Sequence, residues 1–435
     1  MPKTFNIITL GCKVNQCESA HISQVLADAG WRSVEHGGKA DVTVVNTCIV
    51  TRAAAHQSRQ AVRKAIRGNP AGRVAAIGCY GQVFPEELLD IEGLEMVVGN
   101  AAKGCAAELI LHDDTTEPCI VRAESFDREP PFDRMPIRRF PGRARAFVKI
   151  QDGCESFCSY CIVPYARGPC RSLPAREVMS TLESLVRSGY REAVITGIHL
   201  GKYGVDLPGD TDLVSLLWEI GRAGLPMRIR LSSLEPNEIG GGLIRMAAEE
   251  TWLCPHFHIP LQSGNDGVLK KMNRTYGAHE FSRLVERIHD EIPHAAIGAD
   301  VMCGFPGESE AAHRDTVSLV EGLPLSYLHV FPYSRRKGTP ASGFDAQLAD
   351  EIIKQRAAEM RAVGRRKRAA FYERCLGKCF SVVAEGRDPE NPSRVKGTSD
   401  NYLSVRVKAE SDTTNRLLEV RMDRVAGGVM EGILC

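Results

Sequence analysis

The chain has 435 residues with 55 basic and 54 acidic side chains, and its net charge of +1 excludes an overall field that would attract a nucleic acid or a membrane. Hydrophobic residues make up 43% and charged residues 25%, which is typical of a globular protein with a sizeable core. No apolar run approaches the roughly 18 residues of a membrane span, and the run before Gly11 is too short for a secretory leader. We therefore expect a cytoplasmic protein without a membrane partner, built from about two to four domains.

Residues 1–115 alternate short apolar strands with helices. The predicted strands are residues 5–10, 42–45, 74–77 and 96–98, and the predicted helices are residues 19–29 and 53–66. Buried apolar strands separated by helices indicate a parallel sheet, so this segment is expected to form an open parallel α/β domain. Residues 116–141 hold several prolines among charged residues, which predicts a linker.

Residues 142–372 repeat the strand–helix pattern on a longer scale. Six strands are predicted, at residues 147–151, 193–197, 228–232, 256–261, 297–303 and 327–331, and a long helix at residues 346–372 follows them. Six consecutive units of this kind favour a partial (β/α)6 barrel. A doubly wound sheet remains the alternative, because a sequence does not show closure.

The final segment, residues 373–435, changes to strands in which apolar and polar residues alternate. They are predicted at residues 380–384, 402–407, 417–422 and 432–434, with turn residues between them. This pattern is typical of a small antiparallel β-barrel of the OB-like kind.

Fifteen cysteines in a chain without a targeting segment point to metal binding or redox chemistry rather than disulfides. Cys154, Cys158 and Cys161 follow directly on the first strand of the central domain. Three thiolates from one loop can hold three irons of a cubane cluster and leave the fourth iron open to another ligand. A zinc loop completed by a distant residue is the alternative.

A second group of cysteines is dispersed along the first domain. Cys12, Cys48 and Cys79 each come just after one of the first three predicted strands. Ligands of an open parallel sheet bind outside the carboxyl ends of its strands, so the fold would bring the three thiols together. They would again leave one iron of a cluster open. Three isolated buried cysteines are the alternative.

Several motifs make the sequence similar to the radical SAM methylthiotransferase family over nearly its whole length. They are residues 10–16 (LGCKVNQ), 196–201 (TGIHLG), 231–236 (LSSLEP) and 329–334 (HVFPYS). The residues after Cys12 resemble the MtaB-type tRNA enzymes rather than the MiaB-type or RimO-type enzymes. The resemblance implies an N-terminal methylthiotransferase domain, a radical SAM core and a C-terminal TRAM domain.

The resemblance also implies the reaction. MtaB-type enzymes convert N6-threonylcarbamoyladenosine, just 3′ of the tRNA anticodon, to its 2-methylthio derivative. Two 4Fe-4S clusters are expected, one on Cys12, Cys48 and Cys79, and one on Cys154, Cys158 and Cys161 where S-adenosylmethionine (SAM) is cleaved to a radical. The implied partners are tRNA and an electron donor such as a flavodoxin or ferredoxin, and we expect a monomer.

Further site residues follow from the resemblance and from their positions in the chain. Candidate SAM contacts lie beside the cysteine loop or at strand ends, where barrel active sites gather; they are Tyr160, Thr196, Gly197, Ser232, Ser233 and Glu235. Turn and capping roles are the alternative for each of these residues. Basic and aromatic groups of the C-terminal barrel are the candidates for RNA contacts: Arg394, Lys396, Tyr402, Arg406 and Lys408.

Two other functions compete with this prediction. Methylthiolation of a ribosomal protein is the alternative within the family, and the residues after Cys12 argue against it. Basic runs at residues 134–145, 335–337 and 361–368 also favour a phosphate-bearing partner. A non-catalytic Fe–S sensor that binds RNA is the alternative from another class, but a sensor does not need a cysteine loop that leaves an iron open.

Overall fold

The computed structural model describes residues 2–34, 38–112, 120–126, 130–140, 142–408 and 413–435. The predicted α/β fold class is confirmed: a parallel sheet comes first, parallel strands follow in the central part, and a closed ring of strands ends the chain. Part of the predicted linker, including Pro141, lies outside the described residues. The exact bounds of the predicted domains remain predictions.

The N-terminal domain is one six-stranded parallel sheet with the order β2-β1-β3-β4-β5-β6. Its strands are β1 (Thr4–Thr9), β2 (Arg32–Ser33), β3 (Val42–Thr47), β4 (Arg73–Gly78), β5 (Met96–Val98) and β6 (Ile120–Arg122). Its helices are α1 (Lys13–Asp28), α2 (Arg52–Gly68), α3 (Cys79–Val83), α4 (Pro85–Leu89) and α5 (Ala106–Leu111). The last strand, β6, lies within the predicted linker, so the sheet extends beyond residue 115.

Helix α1 begins at Lys13, six residues before its predicted start at residue 19. Its first turns carry buried polar residues, Asn15 and Glu18, where an amphipathic helix would have apolar ones. A search for apolar periodicity therefore misses them. Both residues contact Arg167 of the central domain, as described below.

The central domain contains six parallel strands in two three-stranded ladders, β11-β10-β7 and β12-β13-β14. They are β7 (Ala146–Lys149), β10 (Glu192–Thr196), β11 (Arg228–Leu231), β12 (His256–Gln262), β13 (Ala296–Cys303) and β14 (Tyr327–Pro332), with a short pair, β8 (Gln151–Asp152) and β9 (Arg171–Ser172), beside them. The helices are α6 (Val163–Arg167), α7 (Ala175–Arg187), α8 (Leu213–Arg222), α9 (Gly241–Glu249), α10 (Asp266–Lys271), α11 (Ala278–Glu291), α12 (Glu310–Gly322) and α13 (Asp350–Cys375).

The C-terminal domain is a closed barrel of five strands in the order β15-β16-β17-β19-β18. The strands are β15 (Cys379–Asp388), β16 (Asn391–Ser399), β17 (Ser404–Lys408), β18 (Leu417–Ala426) and β19 (Val429–Leu434). The sequence predicts four strands and misses β16, because its Asn-Pro-Ser start has the composition of a turn. The antiparallel prediction is wrong for one pairing, since β17 and β19 run parallel.

None of the described helices is long and apolar enough to cross a membrane.

Candidate functional site

The first group of cysteines converges at the carboxyl edge of the N-terminal sheet. Cys12 precedes α1, Cys48 follows β3, and Cys79 opens α3. Gly11 has a φ of +98°, and a Cβ there would lie 3.1 Å from the Cys48 sulfur, so the two loops touch. Burial, together with the nearby charges of Cys79 and Cys12, raises the pKa of Cys48 to about 11. The fold therefore brings together three thiols that are separate in sequence.

The second group of cysteines lies in one loop that begins after β8. Burial raises the pKa of Cys161 to about 12, and the charges of Cys158 and Cys154 act in the same direction. The loop turns sharply at Gly153, which has a φ of +78°; a Cβ there would lie 1.8 Å from the carbonyl oxygen of Pro169. Only glycine fits this position without a clash.

The spacing of the thiols bears on the single-metal alternative. Four ligands around one zinc, at about 2.3 Å from the metal, would hold the sulfurs about 3.8 Å apart. Within the described residues, one group of three ligand atoms lies entirely within 4.8 Å, and it consists of His258, Asp300 and His329 rather than either set of cysteines. A cubane cluster binds each thiolate to a different iron and needs the wider spacing, so the cysteines fit a cluster better than one zinc ion.

Three side chains that the sequence analysis missed contact the cysteine sulfurs. His199 Nδ1 lies 3.5 Å from the Cys154 sulfur, Arg274 donates to the Cys158 sulfur at 3.2 Å, and Asn100 donates to the Cys79 sulfur at 3.3 Å. Hydrogen bonds to cluster sulfurs tune reduction potential. His199 lies within the 196–201 motif, which was a signal for it, whereas Asn100 and Arg274 come from segments without such a motif.

Carboxylates orient two of these side chains. Glu238 lies 2.7 Å from His199 Nε2, and Glu235 forms an ion pair with Arg274. Burial disfavours a charged His199, but its hydrogen bonds to Cys154 and Glu238 raise its pKa to about 10. Burial likewise opposes ionisation of Cys154, yet the hydrogen bond with His199 prevails and lowers the pKa of this thiol. At Cys154 the surroundings therefore favour the thiolate that a metal cluster requires.

A cavity of about 580 Å³ opens beside this loop, and its lining includes Cys158, His199 and Glu235. This volume is in the range of small-molecule sites. Of the six predicted SAM contacts, Glu235 lines the cavity. The hydroxyl of Ser232, three residues before Glu235 in the chain, is buried and has no hydrogen-bond partner among the described residues, so it is available to a ligand.

The other predicted SAM contacts have different surroundings. Thr196 is buried at the end of β10, and a Cβ on Gly197 would lie 2.8 Å from the Gln151 side chain. Tyr160 packs edge-to-face against Phe305, while Ser233 is exposed. Their role in binding SAM remains a prediction.

The predicted RNA contacts do not form one free basic surface. Ion pairs engage three of them: Arg394 with Glu431, Lys396 with Asp388, and Arg406 with Asp388 and Glu390. The Tyr402 ring is stacked on His256, with centroids 4.3 Å apart, so it packs against the central domain. Lys408 is exposed at the end of β17. Asp388 is buried, so its pairs with Lys396 and Arg406 are not weak surface pairs, and RNA binding by these residues remains a prediction.

A buried ionic network joins the two cysteine groups. Arg167, in the helix after the Cys161 loop, forms ion pairs with Glu18 of α1 and with Asp152, and donates to Asn15 at 2.5 Å. Burial opposes ionisation of Glu18, but the charges of Arg167 and Lys103 lower its pKa to about 2. The network thus fixes the helix that follows Cys12 against the strand that precedes Cys154.

Comparisons with known proteins identify the chain. Residues 4–99 match the family described as uncharacterized protein family UPF0004, and residues 148–320 match the radical SAM superfamily. The threonylcarbamoyladenosine tRNA methylthiotransferase MtaB of Bacillus subtilis is 34% identical over 98% of this chain and 94% of its own length. The protein of the same name from Aquifex aeolicus is 36% identical over 87% of this chain and 92% of its own length. The chain belongs to the MtaB-type tRNA methylthiotransferase family.

The protein is therefore an enzyme, a radical SAM transferase, and its family uses SAM and a 4Fe-4S cluster. Similar to it at 33% identity, over 97% of this chain and 96% of the relative, is a tRNA-2-methylthio-N(6)-dimethylallyladenosine synthase of Dictyoglomus thermophilum. Among solved structures, the radical S-adenosylmethionine methyltransferase TsrM of Kitasatospora setae is similar, with a TM-score of 0.56 and 16% identity over 78% of this chain and 75% of that one. That likeness concerns the fold alone.

Proposed function

We propose that this enzyme converts N6-threonylcarbamoyladenosine, 3′ of the tRNA anticodon, to its 2-methylthio derivative, with two 4Fe-4S clusters. The observation that carries the proposal is the junction between the two cysteine groups. Each group offers three thiols, and the Glu18–Arg167–Asp152 network ties the segments that bear them. Insertion of sulfur at a C–H carbon needs a site that holds the sulfur and a source of the radical close together. Two neighbouring cysteine groups, one for each task, would meet this need.

The substrate assignment is supported by the names of the relatives. Those from Bacillus subtilis and Aquifex aeolicus are named for threonylcarbamoyladenosine. The relative from Dictyoglomus thermophilum, at similar identity, is named for dimethylallyladenosine. Percentage sequence identity therefore does not distinguish the two substrates well, and the choice between them must depend on the residues near the substrate.

The chain's own residues have distinct roles in this proposal. When bound, the cluster on Cys154, Cys158 and Cys161 supplies the electron that cleaves SAM, and the cluster on Cys12, Cys48 and Cys79 supplies the sulfur position. His199 and Arg274 hold protons at the sulfurs that they contact and so stabilise negative charge there. The unpartnered Ser232 hydroxyl and the Glu235 carboxylate offer polar contacts for SAM beside the cavity.

The test is an anaerobic assay of the reconstituted enzyme with SAM, a reductant and three tRNA preparations. One preparation bears the threonylcarbamoyl group, one lacks it, and one bears a dimethylallyl group instead. Mass spectrometry of the digested nucleosides should show replacement of H by SCH₃ on threonylcarbamoyladenosine alone. Production of 5′-deoxyadenosine without any modified nucleoside would refute the proposed substrate and direct the search to a ribosomal protein.

The flavodoxin or ferredoxin donor, the monomeric state and the cytoplasmic location remain predictions from the sequence.

A further inference from the structure

His258, Asp300 and His329 form a cluster on three neighbouring strands of the central domain. They belong to β12, β13 and β14, and Asp300 lies directly opposite His329 in the ladder between the last two strands. One ligand atom of each side chain lies within 4.8 Å of the other two. Asp300 Oδ1 is 2.7 Å from His258 Nε2 and 3.4 Å from His329 Nδ1. Because each residue sits on a strand, the backbone holds the three groups together.

The spacing of these atoms is close to that of ligands around one metal ion. Atoms that bind a zinc ion at about 2.0–2.2 Å lie about 3.3 Å apart in a tetrahedron. The 3.4 Å between Asp300 and His329 fits this value. The 2.7 Å between Asp300 and His258 would have to widen by about 0.6 Å. The Asp300 side chain is 19% exposed, so its carboxylate has room to turn.

Tyr327 lies behind His258 and bears on which atom occupies this gap. Its hydroxyl is 3.0 Å from His258 Nδ1 and 2.7 Å from His256 Nε2. When His258 Nδ1 carries the proton and donates it to this hydroxyl, the lone pair of Nε2 faces the carboxylate of Asp300. That approach is favourable only with a cation between the two atoms. A proton is one such cation and a metal ion is the other, and histidines that bind metals commonly donate their second N–H in this way.

The cluster is open on one side. His258 is nearly buried, whereas the His329 side chain is 51% exposed and lines a cavity of about 530 Å³ between β14, α13 and the C-terminal barrel. An ion with three protein ligands keeps a further position for another ligand. The same cavity is lined by Arg145, Arg361 and Arg365, whose charges favour an anion there. An anionic oxygen in that position would offset the charge of the ion.

These observations point to a metal centre that is distinct from both cysteine groups. We propose that His258, Asp300 and His329 bind one divalent transition-metal ion of the zinc class. Imidazole together with carboxylate suits such ions, whereas magnesium and calcium prefer oxygen ligands alone. This inference goes beyond the proposed function and does not depend on it, because the site uses none of the cysteines.

The first experiment measures zinc in the wild-type holoenzyme. The protein is reconstituted anaerobically so that its cysteines are occupied by clusters, then freed of loose metal with a weak chelator and dialysed against micromolar zinc. We expect one zinc ion per chain in addition to the cluster iron. X-ray absorption at the zinc edge should show nitrogen and oxygen ligands at about 2.0–2.1 Å and no sulfur at about 2.3 Å.

The second experiment changes the ligands. His329→Gln and Asp300→Asn should each weaken zinc binding by about a hundredfold or more, and Tyr327→Phe, which removes the group that orients His258, by about ten- to a hundredfold. The matched control combines His279→Gln and Asp290→Asn, which remove one exposed histidine and one exposed aspartate of α11 and should leave zinc binding unchanged. His329 is half-exposed, so its variant should fold, and iron and sulfide content shows whether each variant assembles its clusters.

Each outcome decides the proposal. A wild-type enzyme that retains no zinc would mean that a proton, and not a metal ion, joins His258 to Asp300, and the proposal would fall. Sulfur ligands in the absorption spectrum would place the zinc on cysteines and overturn it as well. Equal affinity in His329→Gln and in the control would have the same consequence. Loss of zinc in the ligand variants alone, with light-atom ligands in the wild type, would support the site.

Discussion

Glu192 offers the sharpest test of how the C-terminal barrel is held. This residue begins β10, is fully buried, and accepts hydrogen bonds from Arg228 Nε at 2.7 Å and Arg230 Nε at 2.8 Å. The same arginines reach across to the C-terminal barrel. Arg228 donates to the carbonyl oxygens of residues 381 and 398, and Arg230 donates to those of residues 399 and 400. Glu192 therefore orients the two side chains that dock the barrel.

The size of the effect follows from the pKa of Glu192. Burial opposes its ionisation, but the charges of Arg230 and Arg228 prevail and lower its pKa from 4.5 to about 2. At about 1.4 kcal/mol for each pH unit, this corresponds to about 3 kcal/mol of stability. Because the folded pKa is the lower one, that stability is present above pH 4.5 and is lost as the pH falls toward 2. Between pH 6 and 8 it is constant.

Glu192→Gln keeps the shape of the side chain and removes its charge, so about 3 kcal/mol should be lost at neutral pH. This value agrees with the typical cost of breaking a buried ion pair, which is about 3–5 kcal/mol. A chain of several domains does not unfold in one step, so the suitable measurement is hydrogen exchange of individual segments. Amides of β15 and β16 should exchange about a hundredfold faster in the variant.

The control is Glu183→Gln, which removes an exposed carboxylate paired with Arg187 on the preceding helix. Such surface pairs contribute less than about 1 kcal/mol, and exchange should change by less than about fivefold. Equal exchange in Glu192→Gln and Glu183→Gln would refute the reasoning, because it would mean that the arginines hold the barrel without their carboxylate.

Three further predictions concern the cysteine groups and their junction. Cys154→Ala should abolish formation of 5′-deoxyadenosine. Cys48→Ala should retain some formation of 5′-deoxyadenosine but yield no methylthio product. A methylthio product from Cys48→Ala would refute the second cluster. Arg274→Gln removes a cationic donor to the Cys158 sulfur, so the reduction potential measured by spectroscopic titration should become more negative. Arg167→Met removes the cation shared by Glu18 and Asp152, although Lys149 still pairs with both. The loss of its charge-assisted hydrogen bonds should cost about 1.5–3 kcal/mol, read as a lower thermal midpoint of the N-terminal unfolding step; an unchanged midpoint would contradict the network.

Apolar pattern was sufficient to find most of the sheet strands. β3, β10 and β13 are largely buried on both faces, so they appear in the sequence as runs rich in β-branched and aliphatic residues. β16 was missed for the opposite reason. Five of its nine residues, from Asn391 to Arg394 and Lys396, are only partly buried or exposed, and their side chains carry no apolar alternation.

The positions of Cys12, Cys48 and Cys79 could be predicted because topology alone determines which strand ends meet. β1, β3 and β4 are parallel neighbours, so whatever follows them shares one edge. The groups that contact the sulfurs could not be predicted in the same way. Arg274 reaches Cys158 across 116 positions of sequence, and its placement depends on the packing of several helices.

The start of α1 departs from the apolar pattern of an amphipathic helix, and this departure indicates where the helix makes polar contacts. Asn15 and Glu18 interrupt the apolar face of the helix, and a carboxylate is rarely buried unless it is paired. Their cost is offset by Arg167, Lys103 and Lys149, which come from other segments. If the start of α1 were exposed to solvent, Glu18 would not need these buried cations. If the start of α1 served only to pack against its neighbours, apolar side chains in place of the ion pairs would make it more stable. Positions that break the apolar pattern of the helix in this way mark the part of α1 that contacts the central domain, beside Cys12.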